Sequence, residues 1–125
     1  MSTYLDLNKE TYLELMNFDM DEKFQMLNLL KFVKKVDGTD LTGLEQYQEY
    51  MKAALPFFIE AKAKVIYDGK PYFTLIGPDQ GLEWDKVLIV EYDTKASFIS
   101  MVSSPGYPGD IRKRALSDSR LILCN

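Results

Sequence analysis

Histidine is absent from this sequence of 125 residues, and cysteine occurs once, as Cys124. Without imidazole there can be no Ser-His-Asp or Cys-His catalytic site, no haem held by a proximal histidine and no histidine-containing zinc site. A lone cysteine forms no intrachain disulfide, which favours a cytoplasmic protein. We therefore expect no metal and no cofactor, and any proton transfer has to use carboxylates, lysine, tyrosine, Cys124 or water.

Long apolar runs and an excess of positive charge are also missing. No run of 18 apolar residues is present to span a membrane, and the first ten residues lack the basic flank and apolar core of a secretory signal. The net charge of −4 argues against binding to nucleic acid or to anionic lipid. The length predicts one domain with one hydrophobic core.

Two segments, residues 84–92 (WDKVLIVEY) and residues 25–32 (QMLNLLKF), are typical of β-strands. Both are largely apolar on their two faces, whereas a strand with one wet face alternates apolar and polar residues. In the second segment the faces are Met26, Asn28, Leu30 and Phe32 on one side and Leu27, Leu29 and Lys31 on the other. Both faces of the predicted sheet must therefore be covered.

Two helices are predicted before the central strand. Asn8 can cap a short amphipathic helix over residues 8–17, and we treat residues 1–24 as an appendage to a domain formed by residues 25–125. Thr42 and Glu45 have the spacing of a capping box at the start of a longer helix. Its predicted buried stripe comprises Leu44, Tyr47, Met51, Leu55 and Phe58, and Pro56 predicts a kink.

The remaining elements are shorter. Residues 64–67 and 72–76 predict strand, and we favour one strand with a bulge at residues 68–71 over a hairpin. Residues 77–81 predict a turn. Asp93 or Thr94 is expected to cap a helix with Phe98, Ile99 and Val102 inside. The prolines and glycines of residues 103–109 interrupt it, residues 111–118 resume helix, and residues 120–124 form the last strand.

The resulting order, β-α-β-β-α-β, is that of an α+β ferredoxin-like fold with two helices on one face of a four-stranded antiparallel sheet. The other face is a largely apolar surface of roughly 380 Å². Monomers rarely leave such a patch in water. A second copy, packing sheet to sheet as a dimeric α/β barrel, is the expected partner, and the alternative is that residues 1–24 fold across the bare face.

Several motifs together carry a resemblance: QMLNLLKF at residues 25–32, TGLEQY at 42–47, LIGP at 75–78, EWD at 83–85, VEY at 90–92 and DSRLI at 118–122. In combination they resemble a bacterial family of unknown function within the dimeric α/β-barrel superfamily. The resemblance implies a ferredoxin-like homodimer with a pocket beside the sheet. The wider superfamily includes cofactor-free monooxygenases, small-ring isomerases, haem-degrading proteins, haem peroxidases and ligand binders, so the fold does not name a reaction.

The sequence departs from that family pattern in two places. Some members carry histidine where this chain has Gln25 and Lys113, so any role that needs imidazole is absent here. The segment at residues 105–109 (PGYPG) is also richer in helix-breaking residues than the usual Ser-x-x-Tyr turn.

Three polar side chains are candidate site residues because of where they fall in the pattern. Asn28 interrupts an apolar strand, and it either binds a ligand carbonyl or bonds to a neighbouring loop. Glu91 ends the central strand and is a candidate base if its face lines a pocket, although an ion pair with Arg114 is the simpler interpretation. Arg114 is a candidate for holding a ligand carboxylate, whereas Arg112 and Lys113 are interpreted as a solvated helix face.

Aromatic residues supply the other candidates. Tyr107, between two prolines, is a candidate gate, catalytic hydroxyl or ligand contact, with packing on the last helix as the alternative. Trp84 is a candidate ligand contact or a packing anchor. Tyr47 is expected to face inward.

Two classes of function follow. The first is a homodimer that binds a small apolar or carbonyl-bearing metabolite without catalysis. The second is a cofactor-free monooxygenase or isomerase in which Asn28 and Arg114 stabilise an enolate and Glu91 or Tyr107 transfers a proton. Convergence of Glu91 and Arg114 on an open cavity would favour the enzyme, and a filled cavity would favour a role in protein–protein contact alone.

Overall fold

The computed structural model describes residues 3–78 and 84–125, and its elements follow the predicted order after one N-terminal helix. They are α1 (Lys9–Asn17), β1 (Phe24–Phe32), α2 (Gly43–Glu60), β2 (Lys64–Gly69), β3 (Lys86–Tyr92), α3 (Lys95–Val102), α4 (Gly109–Ala115) and β4 (Leu116–Cys124). The strand order is β2-β3-β1-β4, and all neighbours are antiparallel. The predicted ferredoxin-like fold is therefore confirmed.

The strand register divides the sheet into two apolar faces, as the sequence predicts. Met26 lies opposite Val90 on β3 and Leu123 on β4, and this set faces the helices. The buried residues on that face include Phe24, Met26, Asn28, Leu30, Leu88, Val90, Tyr92 and Ser119. We call the other side the open face, and its apolar residues are Leu27, Leu29, Val87, Ile89 and Ile122.

Helix α2 begins with the predicted capping box. The Glu45 N–H donates to the Thr42 hydroxyl at 3.1 Å, and the Thr42 N–H donates to the Glu45 carboxylate at 2.9 Å. The helix continues through Pro56 to Glu60. Its buried side chains include Tyr47, Tyr50, Ala54 and Phe58. The predicted stripe is wrong at Leu44 and Leu55, which are exposed because the buried face is rotated towards Tyr50 and Ala54.

Gly43 lies where β1, α2 and α4 meet. Its N–H donates to the Val33 carbonyl at 3.0 Å, and the Val33 N–H donates to the Ala115 carbonyl at 3.0 Å. A Cβ atom on Gly43 would lie 2.4 Å from the Val33 oxygen and 2.6 Å from the Ala115 oxygen. Because both obstacles are backbone atoms, only glycine fits at this junction.

The prediction of a strand over residues 72–76 is wrong. Strand β2 ends at Gly69, whose partner Val87 is next to the first residue of β3, so the chain beyond has no strand to pair with. The bulge lies inside β2, between Val65 and Tyr67, and not at residues 68–71. Residues 79–81 of the predicted turn, and Glu83, lie outside the described residues.

The boundary between the last helix and the last strand lies earlier in the chain than predicted. Helix α4 ends at Ala115 and not at residue 118, and β4 already begins at Leu116 because β1 supplies Phe32 as its ladder partner. At the start of α3 the cap is Thr94, whose hydroxyl accepts the Ser97 N–H at 3.1 Å.

The N-terminal segment, defined here as residues 3–20, lies on the helix side of the sheet. Ser119, which lies opposite Leu30 on the helix side, donates to the Tyr4 carbonyl at 2.6 Å, and Lys95 donates to the carbonyls of Met16 and Phe18 at 3.0 and 2.5 Å. The segment therefore does not cover the open face, contrary to the alternative considered for residues 1–24. The division into an appendage and a domain at residues 24 and 25 stays a prediction.

Candidate ligand-binding cavity

A cavity of about 620 Å³ lies between the helix side of the sheet and helices α2, α3 and α4, with the N-terminal segment over it. Its apolar lining includes Met26, Phe58, Leu88, Val90, Phe98 and Met101. A second cavity of about 200 Å³, between α2 and α3, has no arginine or tyrosine in its lining. The larger cavity combines apolar walls with a few convergent polar groups, which is the usual composition of a small-molecule site.

Asn28 is one of the polar residues that line this cavity. Its side-chain amide donates to the Met26 and Leu88 carbonyls, both at 3.3 Å, and its oxygen accepts from Arg112 at 3.3 Å. A guanidinium can only donate, so the carboxamide oxygen has to face it. Both amide protons and the oxygen of the buried carboxamide therefore have partners, and the oxygen holds one N–H of Arg112.

The tyrosines that line the cavity include Tyr47, Tyr50, Tyr92 and Tyr107. The Tyr50 and Tyr107 hydroxyls are hydrogen-bonded to each other, and the rings of Tyr47 and Tyr50 lie 5.2 Å apart. Burial raises the pKa of Tyr47 to about 12, and burial also raises the pKa of Tyr50, of Tyr92 and of Tyr107. At neutral pH all four are therefore uncharged hydroxyls that can donate a hydrogen bond.

Arg112 carries the charge of the cavity. Among the residues that the structure describes, it forms no ion pair, whereas Arg120 pairs with Asp118 at 2.8 Å. Asp6, which also lines the cavity, pairs with Lys113 at 2.5 Å. The cavity therefore has an uncompensated positive charge on a partly buried guanidinium.

The structure does not bring the other predicted charged residues to this cavity. Glu91 lies on the open face, where it accepts from Gln25 at 2.9 Å and pairs with Lys23 at 3.7 Å. Arg114 is exposed and donates to the Asp37 carbonyl at 3.4 Å. The predicted Glu91–Arg114 pair is wrong, because the register of the sheet places Gln25 opposite Glu91.

Trp84 and Tyr107, the two aromatic candidates, have different positions. The Arg120 guanidinium lies 5.1 Å from the Trp84 ring, and Trp84 is not part of the cavity lining. Tyr107 lines the cavity and packs edge-on against Phe57 and Tyr50. Ligand binding by Asn28 and Tyr107 stays a prediction.

Solved structures show what the chain resembles. The methylated RPA0582 protein is 32% identical over 100% of this chain and 96% of its own, with a TM-score of 0.89. A second structure of RPA0582, a protein of unknown function from Rhodopseudomonas palustris, is 31% identical over 98% of this chain and 95% of its own, with a TM-score of 0.87. The chain belongs to the RPA0582 family. The predicted membership in a bacterial family of unknown function is confirmed.

More distant structures share only the fold with this member of the RPA0582 family. A dimeric ferredoxin-like protein of unknown function from Thermobifida fusca YX is 15% identical over 86% of this chain and 93% of its own, with a TM-score of 0.52. SnoaB, a cofactor-independent oxygenase from Streptomyces nogalater, is 16% identical over 83% of this chain and 92% of its own, with a TM-score of 0.51. No family model matches the chain, and no curated protein does.

Arg112 is the site residue that sequence reasoning missed in this RPA0582-family chain. Three basic residues follow one another in α4, and the sequence alone favoured Arg114. The signal that could have found Arg112 is helical spacing: it lies three residues before Ala115, the buried residue of α4, so the two share a face. Arg114 lies on the other side of that helix.

The raised tyrosine pKa values predict a loss of stability in alkali. In the unfolded chain Tyr47 ionises near pH 10, but in the folded protein its pKa is about 12. The unfolded state therefore binds fewer protons above pH 10, and the stability that is fully present below pH 10 falls by about 2 to 3 kcal/mol as the pH rises to 12. Urea unfolding at pH 8, 10 and 11.5 measures the loss. Tyr47→Phe should lose less over the same range, and equal losses in both proteins would contradict the assignment.

Proposed function

We propose that this member of the RPA0582 family is a cytoplasmic homodimer that binds a small apolar or carbonyl-bearing metabolite. The observation that carries the proposal is the cavity of about 620 Å³, which has apolar walls and a few polar side chains that include Asn28 and Arg112. Neutral tyrosine hydroxyls and the Arg112 guanidinium are suited to a ligand oxygen that accepts hydrogen bonds.

Two exposed apolar surfaces support the homodimer. The first is the open face of the sheet, on which Ile122 is 44% exposed. The second follows β2, where four large side chains are between 73% and 96% exposed: Tyr72, Phe73, Leu75 and Ile76. A second copy packed sheet to sheet would remove such surfaces from water. The Thermobifida fusca protein of the same fold is described as dimeric.

We expect neither a nucleic acid nor a membrane as a partner. The net charge of −4 opposes binding to polyanions. Within residues 3–78 and 84–125, no helix is long and apolar enough to cross a bilayer.

A cofactor-free enzyme is the second candidate. It is supported by the name of SnoaB, a cofactor-independent oxygenase with this fold, and by the donors Arg112, Tyr50 and Tyr107, which could stabilise an enolate. Of its two predicted proton-transfer groups, Glu91 lies on the other side of the sheet, and Tyr107, whose pKa is raised by burial, remains in the cavity lining. The hydrogen-bond donors of the cavity can bind a ligand carbonyl without any reaction, and we therefore favour a binding function.

Native mass spectrometry of the purified protein tests the proposal as a whole. We expect the mass of two protomers with retained ligand, and release of that ligand on denaturation identifies its class. A protomer mass at micromolar concentration would contradict the homodimer. Conversion of the released ligand by the protein in air, with oxygen consumption, would favour the enzyme instead.

Filling the cavity should abolish binding of a neutral apolar probe. Leu121 lines the cavity and is 38% exposed, so the larger ring of Leu121→Trp can enter without overpacking the core. Fluorescence titration with N-phenyl-1-naphthylamine is expected to show affinity about tenfold or more below that of the wild type. Leu55→Trp, on the exposed side of α2, is the control and should bind like the wild type. Unchanged affinity in Leu121→Trp would place the probe elsewhere.

A further inference from the structure

The cavity contains a positive charge that the described part of the protein does not neutralise. Arg112 has Asn28 as its polar partner, and Asn28 is neutral. The acidic residue in the cavity lining, Asp6, is exposed and already paired with Lys113. A partly buried guanidinium without a carboxylate is costly unless a ligand supplies the opposite charge.

Asn28 restricts how Arg112 can meet a ligand. Three of the four hydrogen bonds that the Asn28 side chain can form are made within the protein, two by its amide and one by its oxygen. We therefore assign Asn28 a positioning role towards Arg112, and the second lone pair of its oxygen can still be shared with a ligand. One N–H of Arg112 is held by Asn28, and the fork of the guanidinium keeps further N–H groups for a planar acceptor with two oxygens.

The tyrosine pair adds a donor for such an acceptor. In the hydrogen bond between Tyr50 and Tyr107, one hydroxyl proton is used by the pair and the other is left over. Both rings line the cavity with Arg112. The cavity lining thus contains both a cation and a neutral hydroxyl donor.

We propose that the ligand is an apolar organic acid whose carboxylate is held by Arg112, with Asn28 positioning the guanidinium. This inference rests on the proposed function, because it assigns the head group of the ligand bound in the same cavity. The apolar body of the ligand lies against Met26, Leu88 and Val90 on the sheet. A neutral carbonyl compound of the same shape binds more weakly, because it leaves the charge of Arg112 without a counter-ion.

Two fluorescent probes with nearly the same apolar body distinguish the contribution of a negative head group to the affinity from that of the apolar cavity. 8-Anilinonaphthalene-1-sulfonate is anionic, and N-phenyl-1-naphthylamine is its neutral counterpart. In Arg112→Gln we expect the affinity for the anionic probe to fall by about 10- to 100-fold and the affinity for the neutral probe to change less than about twofold. Arg114→Gln, two residues along the same helix and exposed, should bind both probes like the wild type.

Asn28→Asp tests the positioning role. A carboxylate at this position would pair with Arg112 inside the protein, so we expect the anionic probe to lose its advantage while the neutral probe still binds. A merely structural role for Asn28 would weaken both probes equally. That result would overturn the positioning assignment.

Displacement from the wild-type protein gives a test that needs no variant. We expect decanoate to displace the anionic probe at a concentration at least about tenfold lower than decanol does. Equal displacement, or equal loss of both probes in a folded Arg112→Gln, would overturn the inference about the carboxylate. Failure of the wild type to bind the neutral probe at all would overturn the proposed cavity function as well, so the two failures are distinguishable.

Discussion

Ile89→Glu is expected to convert the proposed homodimer into protomers at micromolar concentration. Ile89 lies in the middle of the open face, opposite Leu27 on β1 and Tyr67 on β2. A two-fold dimer buries the substitution twice. At about 3 kcal/mol for each unpaired buried charge, the dissociation constant rises by about 10⁴-fold. Sedimentation velocity measures the change.

Ile59→Glu is the matched control, because it makes the same substitution on α2 at a side chain that is 68% exposed. It should sediment like the wild type. Circular dichroism distinguishes dissociation from unfolding. An Ile89→Glu protein that stays dimeric would show that the open face is not the interface.

Gly43→Ala is expected to destabilise each protomer by about 3 kcal/mol or more. The added methyl group would lie within 2.4 and 2.6 Å of two backbone oxygens, and neither can rotate away. Movement of Val33 or Ala115 also disturbs the hydrogen bonds that join β1 to α2 and α4. Urea unfolding with matched protein concentrations measures the loss.

Gly109→Ala is the comparison for that substitution. A Cβ atom at Gly109 would meet the Tyr107 ring at 3.8 Å, which is an ordinary contact. Its stability should therefore stay within about 1 kcal/mol of the wild type. A Gly43→Ala protein as stable as Gly109→Ala would mean that the junction adjusts without cost.

The fold was predictable because its signals are local. Continuous apolar strands, the capping box at Thr42 and Glu45, and the alternation of helix and strand together indicate a ferredoxin-like sheet covered by helices. The absence of a strand over residues 72–76 could not be predicted from composition. It depends on where β3 begins, because residues beyond Gly69 have no β3 residue to pair with.

The site was less predictable, because its residues meet across the fold. Asn28 stands out in an apolar strand, but its partner is 84 positions away in α4. The choice between Arg112 and Arg114 depends on the rotation of a helix of seven residues. The position of Glu91 depends on the sheet register, which a one-residue shift would have reversed.

The cavity and the open face lie on opposite sides of the same sheet. In a dimer that packs sheet to sheet, two β-sheets would therefore separate the cavity of one protomer from that of its partner. The expected stoichiometry is two ligands per assembled pair, bound with a Hill coefficient near unity. Each protomer would contain a complete binding site, and ligand bound in one site would not change the affinity of the other.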